Sequence, residues 1–305
     1  MSSTPFLSLP NTPIHEADVV ILPVPLEQTV SYQEGTQHAP EEILKATDQL
    51  EFYEEDMGWS PMKFMKICVL DPIEPLKGEI PAQFHTRLEK ETAQLPENNL
   101  LIALGGEHAI TPALVKARMP TGGHVVQIDA HADLRPHYDG SEYSHACPMY
   151  RIVEQGYSLT MIGIRSFFET EMDYIVQKNI TLFRDRMLQK SDHWQQLLEH
   201  LSTLQGPLWL TIDMDGFDPG YVPGVGTPQP GGLNWYQALE IIETLFFNQQ
   251  SELRGMDIVE LIPDSTQVSE MTAAKLMQKA ISFWGKAHQF DHRPENGSQI
   301  QIEYD

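Results

Sequence analysis

Short apolar, β-branched runs alternate along the chain with longer segments in which apolar positions recur every three or four residues. Eight runs have the length and composition of strands: residues 18–23, 66–70, 100–104, 124–129, 159–164, 180–183, 208–213 and 255–261. Several are apolar at consecutive positions, the pattern of strands covered on both faces. Between them, Trp194, Leu197, Leu198, Leu201 and Leu204 fall on one helical stripe, and Trp235, Ala238, Leu239, Ile242 and Leu245 on another. This order predicts an α/β fold with one mainly parallel sheet of about eight strands between helices. No linker, repeat or low-complexity block divides the chain. Residues 1–290 therefore read as one domain, and the Pro-, Gly- and polar-rich residues 291–305 as a loose C-terminal tail.

Composition narrows the partners. The formal net charge is −23, which argues against sequence-independent binding to nucleic acid or anionic lipid, because both need a basic footprint. Such a surplus suits a cationic small molecule, though solubility alone accounts for it. Cys68 and Cys147, the only cysteines, make no disulfide scaffold and no CxxC zinc motif. The first ten residues lack a basic stretch followed by an apolar core, so no signal peptide is expected. No apolar run is long enough to span a bilayer, residues 19–26 being short and broken by Pro23 and Pro25. A cytoplasmic protein is the expectation.

Ligands of open α/β sheets sit outside the carboxyl ends of the strands, and three of these strands end in metal-binding residue types. One runs into Gly105-Gly106-Glu107-His108, one into Asp129-Ala130-His131-Ala132-Asp133, and one into Asp213-Met214-Asp215. If extended geometry persists, side chains at i and i+2 point the same way. Asp129, His131 and Asp133 then converge, as do Asp213 and Asp215. Alone, an Asp-x-Asp after a strand reads as a turn or helix cap, and His108 as a surface histidine. Together, these acids at strand ends would repel one another without a cation. Six such side chains exceed the needs of one catalytic zinc and suit two metals sharing bridging carboxylates. Carboxylate with imidazole and no thiolate suits manganese, with nickel, cobalt, iron or zinc as replacements. Cys147 reads as packing rather than as a ligand.

These motifs, with the 213–232 stretch, the 18–25 strand, Ser31–Thr36, Gly163-Ile164-Arg165-Ser166 and Met256–Leu261, resemble those of the ureohydrolases, the family of arginase and agmatinase. The resemblance covers most of the chain and implies a three-layer α/β/α sandwich. It implies that Asp129 and Asp213 bridge two Mn²⁺ ions, with His108 and Asp133 completing one site and His131 and Asp215 the other. His145 corresponds to the family's catalytic histidine, and Glu260 to the acid that grips the substrate guanidinium. Both roles are chemically apt: guanidinium needs an acceptor-only partner, and protonating a leaving amine needs a group titrating near neutrality. Asp133 would also orient the attacking hydroxide, and urea and an amine would result.

The sequence departs from the common family pattern at Glu107, Ala109, Ala146 and Cys147, none of them an expected ligand. The loop after Asp133 resembles that of agmatinase. Its Asp139 and Glu142 are candidates to meet a second cationic group on a polyamine-like tail, or are a solvated acidic loop. Agmatine or an amine-bearing agmatine such as aminopropylagmatine is the first expectation; guanidinobutyrate, arginine and guanidine stay open. Rivals are an amine deacetylase on the same fold, and a non-catalytic metal-binding relative. The family also implies a homo-oligomer, a trimer or hexamer.

Overall fold

The computed structural model describes residues 4–296. In chain order the elements are β1 (Val19–Val24), α1 (Ala39–Ala46), β2 (Ile67–Val69), α2 (Pro81–Thr92), β3 (Leu100–Gly105), α3 (Thr111–Arg118) and β4 (His124–Ile128). They continue with α4 (Pro148–Glu154), β5 (Ser158–Ile164), α5 (Glu169–Lys178), β6 (Thr181–Arg184), α6 (Asp185–Leu188), α7 (Ser191–Ser202), β7 (Gly206–Asp213), α8 (Trp235–Phe246), β8 (Ser251–Val259) and α9 (Val268–Ala287). The eight strands form one sheet in the order β2-β1-β3-β8-β7-β4-β5-β6, with every pair parallel.

Alternation along each strand divides the core in two. Val19 and Ile21 of β1, Ile102 of β3 and Leu210 of β7 face a cluster shared with α1, α7, α8 and α9. Val20, Leu22, Leu101 and Trp209 face the other, shared with α2, α3, α4 and α5. Burial on both faces explains why these strands are apolar at successive positions, and the result is the expected three-layer sandwich. Pro23 sits inside β1 without breaking it. Its carbonyl accepts from Ile73 N at 3.0 Å, on the side where β2 has already ended at Val69. A missing N–H on that side costs no ladder bond.

The strand starts lie within two residues of those expected, except that β8 begins at Ser251, four residues before the expected 255. Residues 251–253 pair with β7 beyond its register shift at Leu208/Trp209, where Arg254 is passed over and polar side chains at the end of the strand hide its pattern. Residues 291–296, the start of the expected tail, lie against the domain: Arg293 pairs with Asp18 at 2.7 Å and stacks on Phe290. The rest of that tail, 297–305, lies outside the described residues. Among the described residues, no helix is long and apolar enough to cross a membrane.

Topology places the chemistry. β3, β8, β7 and β4 are neighbours at the sheet centre, although β3 and β4 are consecutive in the chain. Their carboxyl ends lead into Gly106–His108, Glu260, Asp213–Asp215 and Asp129–Asp133, a crevice of the kind in which open α/β sheets hold ligands.

Candidate metal centre and active site

The tight approach of the β1 and β3 ends requires glycine. A Cβ on Gly106 would lie 2.0 Å from the carbonyl oxygen of Leu26; without one, Gly106 N bonds to Val24 O at 3.0 Å and Glu107 N to Leu26 O at 2.8 Å. The chain can then turn His108 inward, where it is fully buried. Its Nδ1 faces Asp133 Oδ2 at 3.0 Å, Asp129 Oδ2 at 3.2 Å and Asp213 Oδ2 at 3.5 Å. Beside this group, His131 Nδ1 faces Asp215 Oδ2 at 2.9 Å and Asp129 Oδ1 at 3.7 Å. Candidate ligand atoms thus gather as His108, Asp129, Asp133 and Asp213, and as Asp129, His131 and Asp215. Asp129 belongs to both groups and turns one oxygen to each. Asp213 keeps Oδ2 towards His108 while its Oδ1 accepts from Asp215 N at 2.9 Å.

The donor set fits metal ions. Thr211 donates its hydroxyl to Asp257 Oδ1 at 2.5 Å, so at 2.8 Å from His108 Nε2 it can only accept. His108 therefore carries its hydrogen on Nε2. Its buried Nδ1 has no hydrogen-bond partner and points a lone pair into three carboxylates. That arrangement repels unless a cation stands between them. Asp129 is further held by Gln127 Nε2 at 2.7 Å and His131 N at 2.6 Å.

The protonation equilibria of the metal-free site say the same. For His108, burial opposes the charged form, but the Asp129, Asp133 and Asp213 carboxylates facing Nδ1 outweigh it and favour the imidazolium, well above the usual histidine value. His131 is likewise buried, yet Asp215, Asp129 and Asp133 push it up to about 10. Burial and the neighbouring Asp133 and Asp215 raise Asp129 to about 7. Burial would also raise Asp215, but His131 reverses this and lowers it to about 2.

The site opens into a cavity of about 240 Å³. Asp133, Asp213, His131 and Glu260 contribute to its lining, as do Ser31 and His145, while Arg135, Tyr138, Phe167 and Phe168 line its aromatic part. Asp133 and Glu260 both hold left-handed backbone angles, φ 51° and 61°, an uncommon and strained state for non-glycine residues. Glu260 Oε1 accepts from His108 N at 2.6 Å. Burial and then the charge of Glu107 raise its pKa well above the carboxylate range, so a cationic group beside it would be welcome. Arg135 lies over the rings of Tyr138 at 5.0 Å and Phe168 at 5.3 Å.

Of the candidate residues, His108, Asp129, His131, Asp133, Asp213 and Asp215 come together, and His145 and Glu260 share their cavity. Asp139 and Glu142 are exposed on the loop and do not line it; Glu142 pairs with Arg151 at 3.4 Å. Thr29, Gln127, Thr211 and Asp257 went unremarked in the sequence. Thr211 and Asp257 left a signal there, as polar residues inside otherwise apolar strands. A larger cleft of about 670 Å³, lined by residues between 23 and 44 and by Pro72, Glu74 and Pro75, includes none of the clustered candidate ligands.

The family model "Arginase family" matches residues 17–282. An N(1)-aminopropylagmatine ureohydrolase from Synechocystis sp. is 39% identical over 282 residues, covering 89% of this chain and 90% of that protein. An agmatinase from Pyrococcus horikoshii is 34% identical over 272 residues, covering 89% and 93%. The crystal structure of the agmatine ureohydrolase of Thermoplasma volcanium superposes with a TM-score of 0.81 at 30% identity, covering 92% of this chain and 94% of that one.

Proposed function

The chain belongs to the arginase family, and on that premise we propose that it is a binuclear-metal ureohydrolase. It would hydrolyse the guanidinium group of agmatine or an agmatine-like amine, such as aminopropylagmatine, to urea and the corresponding amine. One observation carries this reading: two imidazole–carboxylate groups share Asp129 beside a cavity into which Glu260 also faces. The names of the relatives support the agmatine-like substrate.

In this reading His108, Asp129, Asp133 and Asp213 would hold one Mn²⁺, and Asp129, His131 and Asp215, joined by Asp213, would hold the other; Ni²⁺, Co²⁺, Fe²⁺ or Zn²⁺ would suit the same oxygen and nitrogen donors. Bound there, two divalent ions supply a hydroxide at neutral pH by acidifying a water. The protein's own residues do the rest. Glu260 binds the planar guanidinium through charge-assisted hydrogen bonds and aims its carbon at the nucleophile. Asp133 accepts a hydrogen bond that orients the attacking oxygen. His145 gives a proton to the departing amine, and the aromatic wall of Tyr138 and Phe168 excludes water beside the chain of the substrate. Asp139 and Glu142, on the outer loop, would meet only a tail long enough to leave the cavity.

Arg135 supports a second reading. A fixed cation in the cavity wall favours a guanidine with an anionic tail, such as guanidinobutyrate. A urea-release screen over agmatine, aminopropylagmatine, guanidinobutyrate, arginine and guanidine, with manganese or nickel, decides between them. Release of acetate from an acetylated amine without urea would instead identify a deacetylase. We also assign the protein to the cytoplasm, in keeping with two free buried cysteines, and propose a homotrimer or hexamer; a monomer by light scattering would refute that assembly.

A further inference from the structure

We propose that Glu107, acting through Thr29, sets the tautomer of His145 and so decides which ring nitrogen gives its proton to the departing amine. The inference rests on the role given to His145 above. Glu107 is fully buried, and the groups reaching its carboxylate from residues 28 and 29 are all donors. Gln28 N donates to Oε1 at 2.5 Å, Thr29 N donates to the same oxygen, and Thr29 Oγ1 donates to Oε2 at 2.6 Å.

A threonine hydroxyl has one hydrogen. With that hydrogen on Glu107, Thr29 Oγ1 offers only lone pairs to His145, whose backbone N lies 3.0 Å away and whose Nδ1 lies 3.3 Å away. A hydrogen on Nδ1 is the form that makes this contact a bond. Ser144 Oγ, 3.4 Å from the same nitrogen, is a rotatable hydroxyl that accommodates this. In the neutral ring the remaining lone pair falls on Nε2, which Ser31 Oγ approaches at 3.2 Å from a loop position that lines the cavity. One loop therefore addresses both ring nitrogens, and Glu107 braces it from beneath.

The consequence is directional. Imidazolium gives the Nε2 proton to the amine nitrogen, which keeps the electron pair of the breaking C–N bond. The ring is left neutral in the Nδ1–H form, the form that Thr29 already accepts. The opposite tautomer would have to break the Nδ1–H bond to Thr29. Glu107 and Thr29 are positioning residues, because they act only through His145.

Glu107→Gln separates this role from bracing. The amide oxygen can keep both backbone N–H donors, while the amide NH₂ donates to Thr29 and turns its hydroxyl towards Nδ1. The readout is ¹⁵N–¹H correlation of histidine-labelled, zinc-loaded protein above the titration of His145, whose signal is assigned by difference from His145→Asn. We expect Nδ1–H in the wild type and Nε2–H in Glu107→Gln. We also expect kcat for urea release, with manganese, to fall by about tenfold or more in Glu107→Gln and Thr29→Val while KM changes by less than about threefold, and Thr29→Ser to recover most of it. Thr29→Val leaves Glu107 in place and provides the same comparison independently. Nε2–H in the wild type, Nδ1–H in Glu107→Gln, or wild-type kcat in Thr29→Val would overturn the proposal. Unchanged urea release by His145→Asn would overturn the role of His145 itself, separately from its tautomer.

Discussion

Asp129 is fully buried, with one oxygen turned to His108 and the other to His131. Removing such a shared carboxylate loosens both metal groups at once. Asp129→Ala is therefore expected to fall below one metal equivalent per chain after manganese reconstitution and desalting, measured by elemental analysis; retention of two equivalents would contradict a bridging role. Glu260 is the residue proposed to act on the other reactant. Glu260→Gln keeps the shape but removes the charge, and is expected to lower kcat/KM for the best guanidine substrate by about 30- to 100-fold, the loss of a charge-assisted pair, with metal content intact. Unchanged kcat/KM would remove Glu260 from substrate recognition. Much at this scale is legible in sequence because candidate ligands follow the strand ends at alternate positions, as in Asp129, His131 and Asp133, although the backbone leaves the extended conformation by Asp133. The supports are less so. Thr29 and Glu107 are far apart in sequence, and only the meeting of the β1 and β3 ends makes them partners of His145.

At the scale of elements, the strands are easier to read than the longest helix. α9 has 20 residues and buries Glu270, Gln278, Lys279 and Ser282 along with its apolar face. Those polar residues interrupt the stripe by which α7 and α8 reveal themselves. Lys279, 1% exposed, is held by Glu54, Glu55 and Asp56. Burial disfavours its charge, but these three acids prevail and raise its pKa. Glu54 is fully buried, so losing Lys279 leaves a carboxylate without its counter-charge. Lys279→Met, which keeps the length of the side chain, is expected to destabilise the fold by about 3 kcal/mol or more in urea denaturation. A change below about 1 kcal/mol would show that the remaining donors to Glu54 suffice. The acids 54–56 thus read as an anchor for α9, although as a cluster they have ligand chemistry of their own.

For the whole molecule, buried neutral histidines contribute to acid sensitivity outside the metal groups. Burial lowers His85 in α2 to about 4, and burial with the nearby His200 lowers His124 in β4 to about 4. Unfolded, each would titrate near 6.5. Between these values the unfolded chain binds more protons, so stability falls as pH is lowered from about 6.5 to about 4, by up to about 1.4 kcal/mol per pH unit for each histidine. Subtracting the pH profile of a His85→Gln/His124→Gln variant from that of the wild type isolates this slope, since the metal ligands are common to both. Parallel profiles would contradict it. Layering was legible because two-sided apolar strands need helices on both faces. The strand order was not, since the crossings that set β8 and β7 between β3 and β4 leave no local pattern. That order is what brings four strand ends to one crevice. The most direct measurement follows agmatine labelled with ¹³C at its guanidino carbon through incubation with the manganese-loaded protein. Labelled urea and putrescine in equal amounts are the expected products; label remaining in agmatine, with none of the other guanidines in the screen yielding urea, would contradict a ureohydrolase.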